Sequence, residues 1–203
     1  MIYKIKGKIK PVEYPLDLPP FPVKDFTEMK QKDAEQLLNW YIGEMPDKMV
    51  KLKNVVGLAG CGTAQTMDYT PNSLIPLWTW YLKHVNIIKK SDAEYEQEQS
   101  QYPRFLRYSV NRNKTELEWG QVAFDIGFYT CICFLEYDER LKWGIVPDPK
   151  LDGGNKPSIL GFKSKKFFTP ASIMRTLMSK SEKGNAESTE LFDTFNVWVD
   201  LYL

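Results

Sequence analysis

Several features that mark common protein classes are scarce in this sequence. Its 203 residues include three cysteines and a single histidine, and no run of about 18 uncharged apolar residues occurs, so we expect no membrane-spanning helix. The basic start lacks the continuous apolar region that a signal peptide carries. An odd, small number of cysteines is atypical of a secreted disulfide scaffold. These absences predict a cytoplasmic protein.

An excess of charge of one sign is also missing. Lysine and arginine number 27, aspartate and glutamate 26, and the net charge is +1. Proteins that bind nucleic acid usually carry a basic excess, so we expect no nucleic-acid partner. Hydrophobic residues make up 43% of the chain and aromatic residues 14%, which is enough for a large core. We therefore expect residues 1–203 to form one globular domain.

Recognised signatures of catalysis are likewise absent. His84 is the only histidine, so a Ser-His-Asp or Cys-His enzyme would have to use it. Cys61 lies in a glycine-rich stretch, residues 57–63, that matches no cysteine-enzyme signature and lacks the Lys-Ser/Thr end of a phosphate-binding loop. No Cys-x-x-Cys or His-x-x-x-His spacing indicates zinc. The pattern favours a protein without catalytic residues, metal or cofactor, and an enzyme stays the open alternative.

The first part of the chain predicts a strand, a connector and a helix. Residues 2–10 alternate lysine with apolar residues, which is typical of a strand with one solvated face. Residues 11–25 hold five prolines and predict an extended connector. Thr27 is the expected cap of a helix whose apolar stripe runs from residue 34 to residue 45, and Pro46 is expected to end it.

A second helix repeats the first one forty residues later. The segment LLNWYI at residues 37–42 aligns with LWTWYL at residues 77–82. Thr70 or Asn72 is the expected cap, with Pro71 in the first turn. The two helices could pack as similar neighbours, and a duplication is one explanation of their likeness.

The rest of the chain predicts more helices and two further strands. The expected elements are a polar helix capped by Ser91 and bounded by Pro103, a helix at about 116–136 behind a capping box of Thr115 and Glu118, strands in LKWGIV and SILGF, a helix from Thr169 to about residue 179, and a final helix at 191–203. With the strands near the chain ends, these elements predict an α+β fold. In it, five or six helices pack with a small, mostly antiparallel sheet.

The helix expected at 116–136 carries the most informative residues. Cys131 and Cys133 lie about 200° apart on it, so they cannot share a metal ion or a disulfide, and we expect buried free thiols. Asp125, Tyr129 and Glu136 fall near one stripe together with Glu118, on a helix that is otherwise apolar and therefore buried.

Two explanations of the acidic stripe stay open. A buried, ionised Asp125 needs a partner, which an arginine, lysine, tyrosine or tryptophan from another element could provide. Alternatively, the stripe lines a groove for a ligand or for a basic residue of a partner. Asp125 and Glu136 are about 16 Å apart along the helix, too far for paired acid/base carboxylates, which need about 5 to 9.5 Å.

Aromatic residues near these helices complete the candidate binding set. Trp80 and His84 lie one turn apart on the second helix, and Trp143 follows the acidic helix in the next strand. Tryptophan and tyrosine concentrate in the centres of protein interfaces when they are exposed. The candidate binding residues are Asp125, Tyr129, Glu136, Trp80, His84 and Trp143.

Three segments resemble the layout of small uncharacterised bacterial proteins: NSLIPLWTWYL, FDIGFYTCICFLEYDERLKW and NKPSILGF, between residues 72 and 162. In those proteins a Ser-Leu helix precedes an Asp-x-Gly-x-Tyr helix that ends in an acidic residue and a Trp strand. Some of them are suspected immunity partners of bacterial toxins. The resemblance implies a bacterial source and a binding role, and it identifies no active site. Cys131 departs from it, because a small residue such as glycine would be expected there.

Two functional hypotheses follow. The first is a non-catalytic bacterial interaction protein, an immunity or accessory factor that binds a protein partner, and it predicts an exposed acidic or aromatic patch. The alternative is a small-ligand-binding protein or enzyme that uses Asp125, Tyr129 and Glu136. It predicts a closed pocket in which these side chains converge and a carboxyl pKa is shifted.

Overall fold

The fold, seen in a computed structural model, confirms the expected α+β class. The structure describes residues 14–58, 62–104, 107, 110–146 and 148–203. Within these ranges it has six helices and two small antiparallel sheets. The elements are α1 (Gln31–Leu58), α2 (Leu74–His84), β1 (Ile87–Lys89), α3 (Asp92–Ser100), β2 (Asn113–Thr115), α4 (Leu117–Tyr137), β3 (Lys142–Ile145), β4 (Pro157–Leu160), α5 (Pro170–Glu182) and α6 (Glu190–Tyr202). The strand expected at 2–10 lies outside the described residues.

Helix α4 lies at the centre of the core, as its apolar composition predicts. Of its 21 residues, 13 are buried, and α1, α2 and α5 all pack against it. Its C-terminal half packs on α6, where the rings of Phe134 and Phe195 stack with centroids 4.2 Å apart. The expected span of about 116–136 is confirmed to within one residue at each end.

Helix α1 differs from the prediction at both ends. Thr27 does not cap it, because its amide and hydroxyl both donate to Asp25, and the helix begins at Gln31. Pro46 does not end it, and α1 continues for twelve more residues to Leu58. Proline removes one backbone hydrogen bond, to the carbonyl four residues earlier. That residue is Ile42, whose side chain is 40% exposed, so water can hydrate the freed carbonyl. Burial of the later turns sustains the helix.

Helix α2 begins behind a short 3₁₀ turn at Pro71–Ser73, and Thr70 precedes that turn without a side-chain cap. Its similarity to α1 does not make the two helices close neighbours. Both pack against α4, with little contact between them. The shared stripe therefore reflects a shared requirement, namely that both helices cover the same central helix.

The described residues form two separate two-stranded sheets, where one small sheet was expected. β1 pairs with β2 and β3 with β4, each antiparallel. The expectation that strands lie near the chain ends is wrong, because β1 and β2 flank α3 in the middle. Each has three residues, too few for an alternating pattern to be recognised.

The cap of α4 is also different from the one expected. Thr115 lies in β2, and its amide and hydroxyl donate to the Glu182 carboxylate, 2.8 and 3.0 Å away. Glu116 is the residue before the helix, and its side chain makes no capping bond. By contrast, α3 has the expected Ser91 cap, completed by Glu94 as a reciprocal capping box.

The close contact of α4 with α5 makes a stability prediction. A Cβ at Gly127 would lie 2.7 Å from Cγ of Met174 and 3.2 Å from Cβ of Pro170. We expect Gly127→Ala to lower the free energy of unfolding by about 1–3 kcal/mol through overpacking, as measured by urea denaturation. The matched control is Gly43→Ala in α1, where nothing lies within 4 Å. It should stabilise the protein by up to about 1 kcal/mol. Equal stability of Gly127→Ala and wild type would contradict the α4–α5 contact.

Candidate functional site

Asp125 is fully buried and receives polar groups from three parts of the chain. The Tyr14 hydroxyl donates to Oδ2 over 2.6 Å, and Gln121 Nε2 donates to Oδ1 over 3.0 Å. Lys48 Nζ, from α1, lies 3.8 Å from Oδ1. A lysine and a tyrosine from other parts of the chain thus surround Asp125, as the first explanation of the acidic stripe requires. We call Tyr14, Asp17, Lys48, Lys51 and Asp125 the buried ion network.

Lys48 connects the two carboxylates of this network. Its side chain is only 1% exposed, and its Nζ lies 2.8 Å from Asp17 Oδ2. Asp17 also accepts from Lys51 over 2.6 Å. Lys48 was not among the expected site residues, because the helix was predicted to end at Pro46. The available signal was its position on the apolar stripe, between Met45 and Leu52.

The pKa values in the network follow from burial and charge. Burial raises the pKa of Asp125, and the charge of Lys48 opposes that shift. Although burial acts the other way, hydrogen bonds from Lys48 and Lys51 hold the pKa of Asp17 below its usual value. Burial and the Asp125 carboxylate raise the pKa of Tyr14, which keeps its hydroxyl protonated as a donor. Two cations face two carboxylates, so the network compensates its own charge and ties the segment before α1 to α1 and α4.

Tyr129 lies one turn after Asp125 but belongs to a different contact. Its hydroxyl is 2.7 Å from the Ser73 hydroxyl and accepts the amide of Tyr69 over 2.8 Å. Burial raises the pKa of Tyr129. The tyrosine therefore holds the turn before α2. Glu136, two turns further on, is exposed and makes no ion pair with a described residue. The acidic stripe does not converge on one site.

Trp80 and His84 are brought together, as their spacing predicts. Nδ1 of His84 lies 2.7 Å from the carbonyl oxygen of Trp80, and the two rings are 5.2 Å apart. Both line a shallow pocket of about 270 Å³ together with Lys83. Trp80 is nearly buried and also packs on Trp119. Trp143 lies elsewhere, half-buried against Phe128. Of the six candidate residues, Trp80 and His84 thus line one pocket together.

The two thiols of α4 are free and buried, as expected. Burial raises the pKa of Cys131, and it raises that of Cys133 to about 12. Both are therefore protonated and poor nucleophiles at neutral pH. Cys61 lies outside the described residues. Among the residues the structure describes, no three His, Cys, Asp or Glu side chains are grouped closely enough to hold a metal ion.

A depression of about 540 Å³ lies between the β1–β2 ribbon and α5. Most of its charges are already engaged. Lys90 pairs with Glu98, Lys180 with Glu190, and Glu182 accepts from Asn111 and Thr115. Most of the charged side chains that line this depression thus neutralise one another.

The outer surface of α6 combines exposed apolar and acidic residues. Asp193, Val197, Asp200 and Leu201 fall within about 100° on the helix, opposite the buried Leu191 and Phe195. Val197 is 51% exposed and Leu201 is 63% exposed. No lysine or arginine occurs on α6, and neither aspartate makes an ion pair with a described residue. These four residues are called the α6 face. The sequence pattern indicated only the opposite, buried stripe of this helix.

Comparison with known proteins adds no relative: no family model, curated protein or solved structure matches the chain. The resemblance to bacterial immunity partners therefore stays a prediction. Within the described ranges, no helix has the length and apolarity required to cross a bilayer.

The buried ion network predicts strong coupling between Asp125 and Lys48. Asp125→Leu leaves the buried Lys48 with Asp17 as its one carboxylate, and Lys48→Met leaves the buried Asp125 with hydrogen bonds but without its nearby cation. Breaking a buried pair in this way costs about 3–5 kcal/mol. We expect Asp125→Leu and Lys48→Met each to destabilise the protein by about this amount. The double variant should lose clearly less than the sum. The measurement is a double-mutant cycle by urea denaturation.

An exposed ion pair provides the control for this cycle. Lys24 pairs with Asp33 at 2.7 Å, with side chains 54% and 33% exposed. Lys24→Met should change stability by less than about 1 kcal/mol. Additive effects of Asp125→Leu and Lys48→Met would show that the two side chains do not interact.

Proposed function

We propose that this protein is a non-catalytic bacterial interaction protein, an immunity or accessory factor, that binds a protein partner through the α6 face. The observation that carries the proposal is the exposure of Val197 and Leu201 beside two aspartates that make no ion pair with a described residue, on a helix without a basic residue. One of them, Asp193, accepts a hydrogen bond from Thr189. A cytoplasmic location, expected from the sequence, belongs to the same proposal.

The α6 face has the composition of an interface centre with a polar rim. Protein interfaces place apolar anchors in the middle and charged residues at the edge, where they stay hydrated. Val197 and Leu201 would be the anchors, with Asp193 and Asp200 beside them.

The rigidity of α6 supports its use in binding. Its inner side is anchored by Leu191 and Phe195, which are almost fully buried, and Phe195 stacks on Phe134 of the central helix. A face that is already ordered loses little conformational entropy when a partner binds. No rearrangement of α6 is needed for binding.

The charge of the α6 face indicates the chemistry of the partner. Two aspartates without internal counter-ions favour a partner surface that carries lysine or arginine around an apolar depression. Complementary charge would also speed association, and the rate would fall as salt is added.

The alternative, a small-ligand-binding protein or enzyme built on the acidic stripe, has less support. It requires Asp125, Tyr129 and Glu136 to converge. Asp125 and Tyr129 are instead buried with separate partners, and Glu136 is exposed. The raised pKa of Asp125 is explained by its burial, which outweighs the opposing charge of Lys48.

The proposal is tested with toxins encoded beside the gene and with proteins captured from the host. Each purified candidate is titrated against wild type and against the double variant Val197→Lys, Leu201→Lys. Loss of two anchors should weaken binding by at least about 30-fold, because one hot-spot residue contributes about 2 kcal/mol or more. Asp200→Asn should mainly slow association at low salt.

The matched control is Val50→Lys, which adds a lysine at an equally exposed valine of α1, 58% exposed. It should leave partner affinity and thermal stability unchanged. If a partner binds the double variant and wild type equally, the α6 face is not the interface. If neither the neighbouring toxins nor host capture provides a partner, the interaction function itself is wrong.

A further inference from the structure

A cavity of about 220 Å³ lies next to the buried ion network, between the segment before α1, helices α1 and α4, and the start of α5. Its wall is mostly apolar. The apolar lining residues are Phe26, Tyr41, Phe124, Phe128, Pro157, Pro170 and Ala171. A dry cavity of about 150 Å³ accepts benzene, so this cavity has room for one aromatic ring or a short acyl chain with a small polar group.

The wall near Phe26 is fixed by a buried asparagine. Nδ2 of Asn155 donates to the carbonyl oxygens of Phe26 and Met29, over 2.8 and 2.9 Å. Asn155 is 3% exposed and has a φ of 58°, a left-handed conformation that asparagine tolerates better than most residues. The segment before α1 is thereby held in place as one side of the cavity.

Two cations in the lining remain available for a ligand. Arg175 of α5 is exposed and makes no ion pair with any described residue. Lys156 lies with its Nζ 5.6 Å from the Phe26 ring centroid. Its ion-pair partner is Asp152, 3.4 Å away and 71% exposed. Lys156 is only 13% exposed and also donates to the Asp152 carbonyl oxygen. The Asp152 carboxylate itself is mostly exposed and distant, so this ion pair is weak and a ligand carboxylate can compete with it.

The remaining charged groups compensate one another. Lys48 and Asp17 also line the cavity, and Lys48, Lys51, Asp17 and Asp125 form the neutral part of the buried ion network. Around the cavity, four cations thus face four carboxylates, with Asp152 and Asp25 included, because the charge of Lys156 acts on both of these aspartates. Asp25 is exposed and already accepts two hydrogen bonds from Thr27. Arg175 is the cation of this lining without an ion pair, so the cationic side of the cavity is that of Arg175.

We propose that this cavity binds a small organic monocarboxylate whose body is a single ring or a short hydrocarbon chain. The carboxylate is held by Arg175, whose guanidinium suits a two-oxygen acceptor, and by Lys156. The body packs between Tyr41, Phe124 and Phe128. This site is separate from the α6 face, so either proposal can fail without the other.

The test uses benzoate and the neutral benzamide, which has nearly the same shape. Benzoate and hexanoate should bind the full-length protein in calorimetric titration, and benzamide should bind at least about tenfold more weakly. Arg175→Gln should weaken benzoate binding by about tenfold or more, as expected for loss of a charge-assisted contact. Lys156→Gln should have a smaller effect in the same direction.

Two further variants separate the cavity from surface charge. Lys183→Gln removes an exposed cation from the same helix outside the cavity, and it should leave benzoate binding unchanged. Ala171→Phe fills the cavity without changing charge, and it should abolish benzoate binding while the melting temperature shows a folded protein. If Ala171→Phe does not fold, Arg175→Gln decides the question alone.

Three results would overturn the proposal. They are the absence of benzoate and hexanoate binding at millimolar concentration, equal binding of benzoate and benzamide, and benzoate binding that persists in Arg175→Gln. Inorganic phosphate is titrated as a last probe. Phosphate binding as tight as that of benzoate would also overturn the proposal, because the site would then recognise charge alone and the apolar cavity would have no role.

Discussion

The arrangement of this protein depends on one electrostatic requirement: a carboxylate without exposed surface, Asp125, needs counter-charges inside the core. Lys48 provides one from α1, and Tyr14 supplies a hydrogen bond from the segment before it. Because Lys48 is itself buried, it needs a second carboxylate, which is Asp17. The central helix, the longest helix and the N-terminal segment are therefore placed by a single set of contacts that is neutral as a whole.

This requirement also distinguishes the polar residues of α4 that stabilise the fold from surfaces that could bind a partner or ligand. Asp125 and Tyr129 looked like a site because polar residues on an apolar helix are uncommon, but each has its own partners in the protein. The surfaces left for recognition are at the periphery, where side chains lack such partners. The α6 face is acidic and apolar, whereas the cavity near Arg175 is apolar with a positive rim. Their opposite charges suit different ligands.

Sequence patterns predicted the elements whose signals are long. The apolar periodicity of α4, the Ser91 cap of α3 and the Thr169-Pro170 start of α5 each gave a helix close to the observed one. Local rules failed where tertiary contacts outweigh them. Pro46 lies inside α1 because burial of Met49 and Leu52 continues the stripe, and Thr115 joins a strand that bonds to Glu182. The pairing of Lys48 with Asp125 joins residues 77 positions apart, so no local pattern records it.

The tethering of the segment before α1 has a consequence for how the chain folds. Tyr14 meets Asp125 across 111 positions, and Asn155 meets the backbone of Phe26 across 129. Closing loops of this length costs chain entropy that only a preformed docking surface can offset. We expect α1, α4 and α5 to associate first and the segment to dock last. During synthesis, the Lys48 side chain would therefore remain solvated until most of the chain had been made.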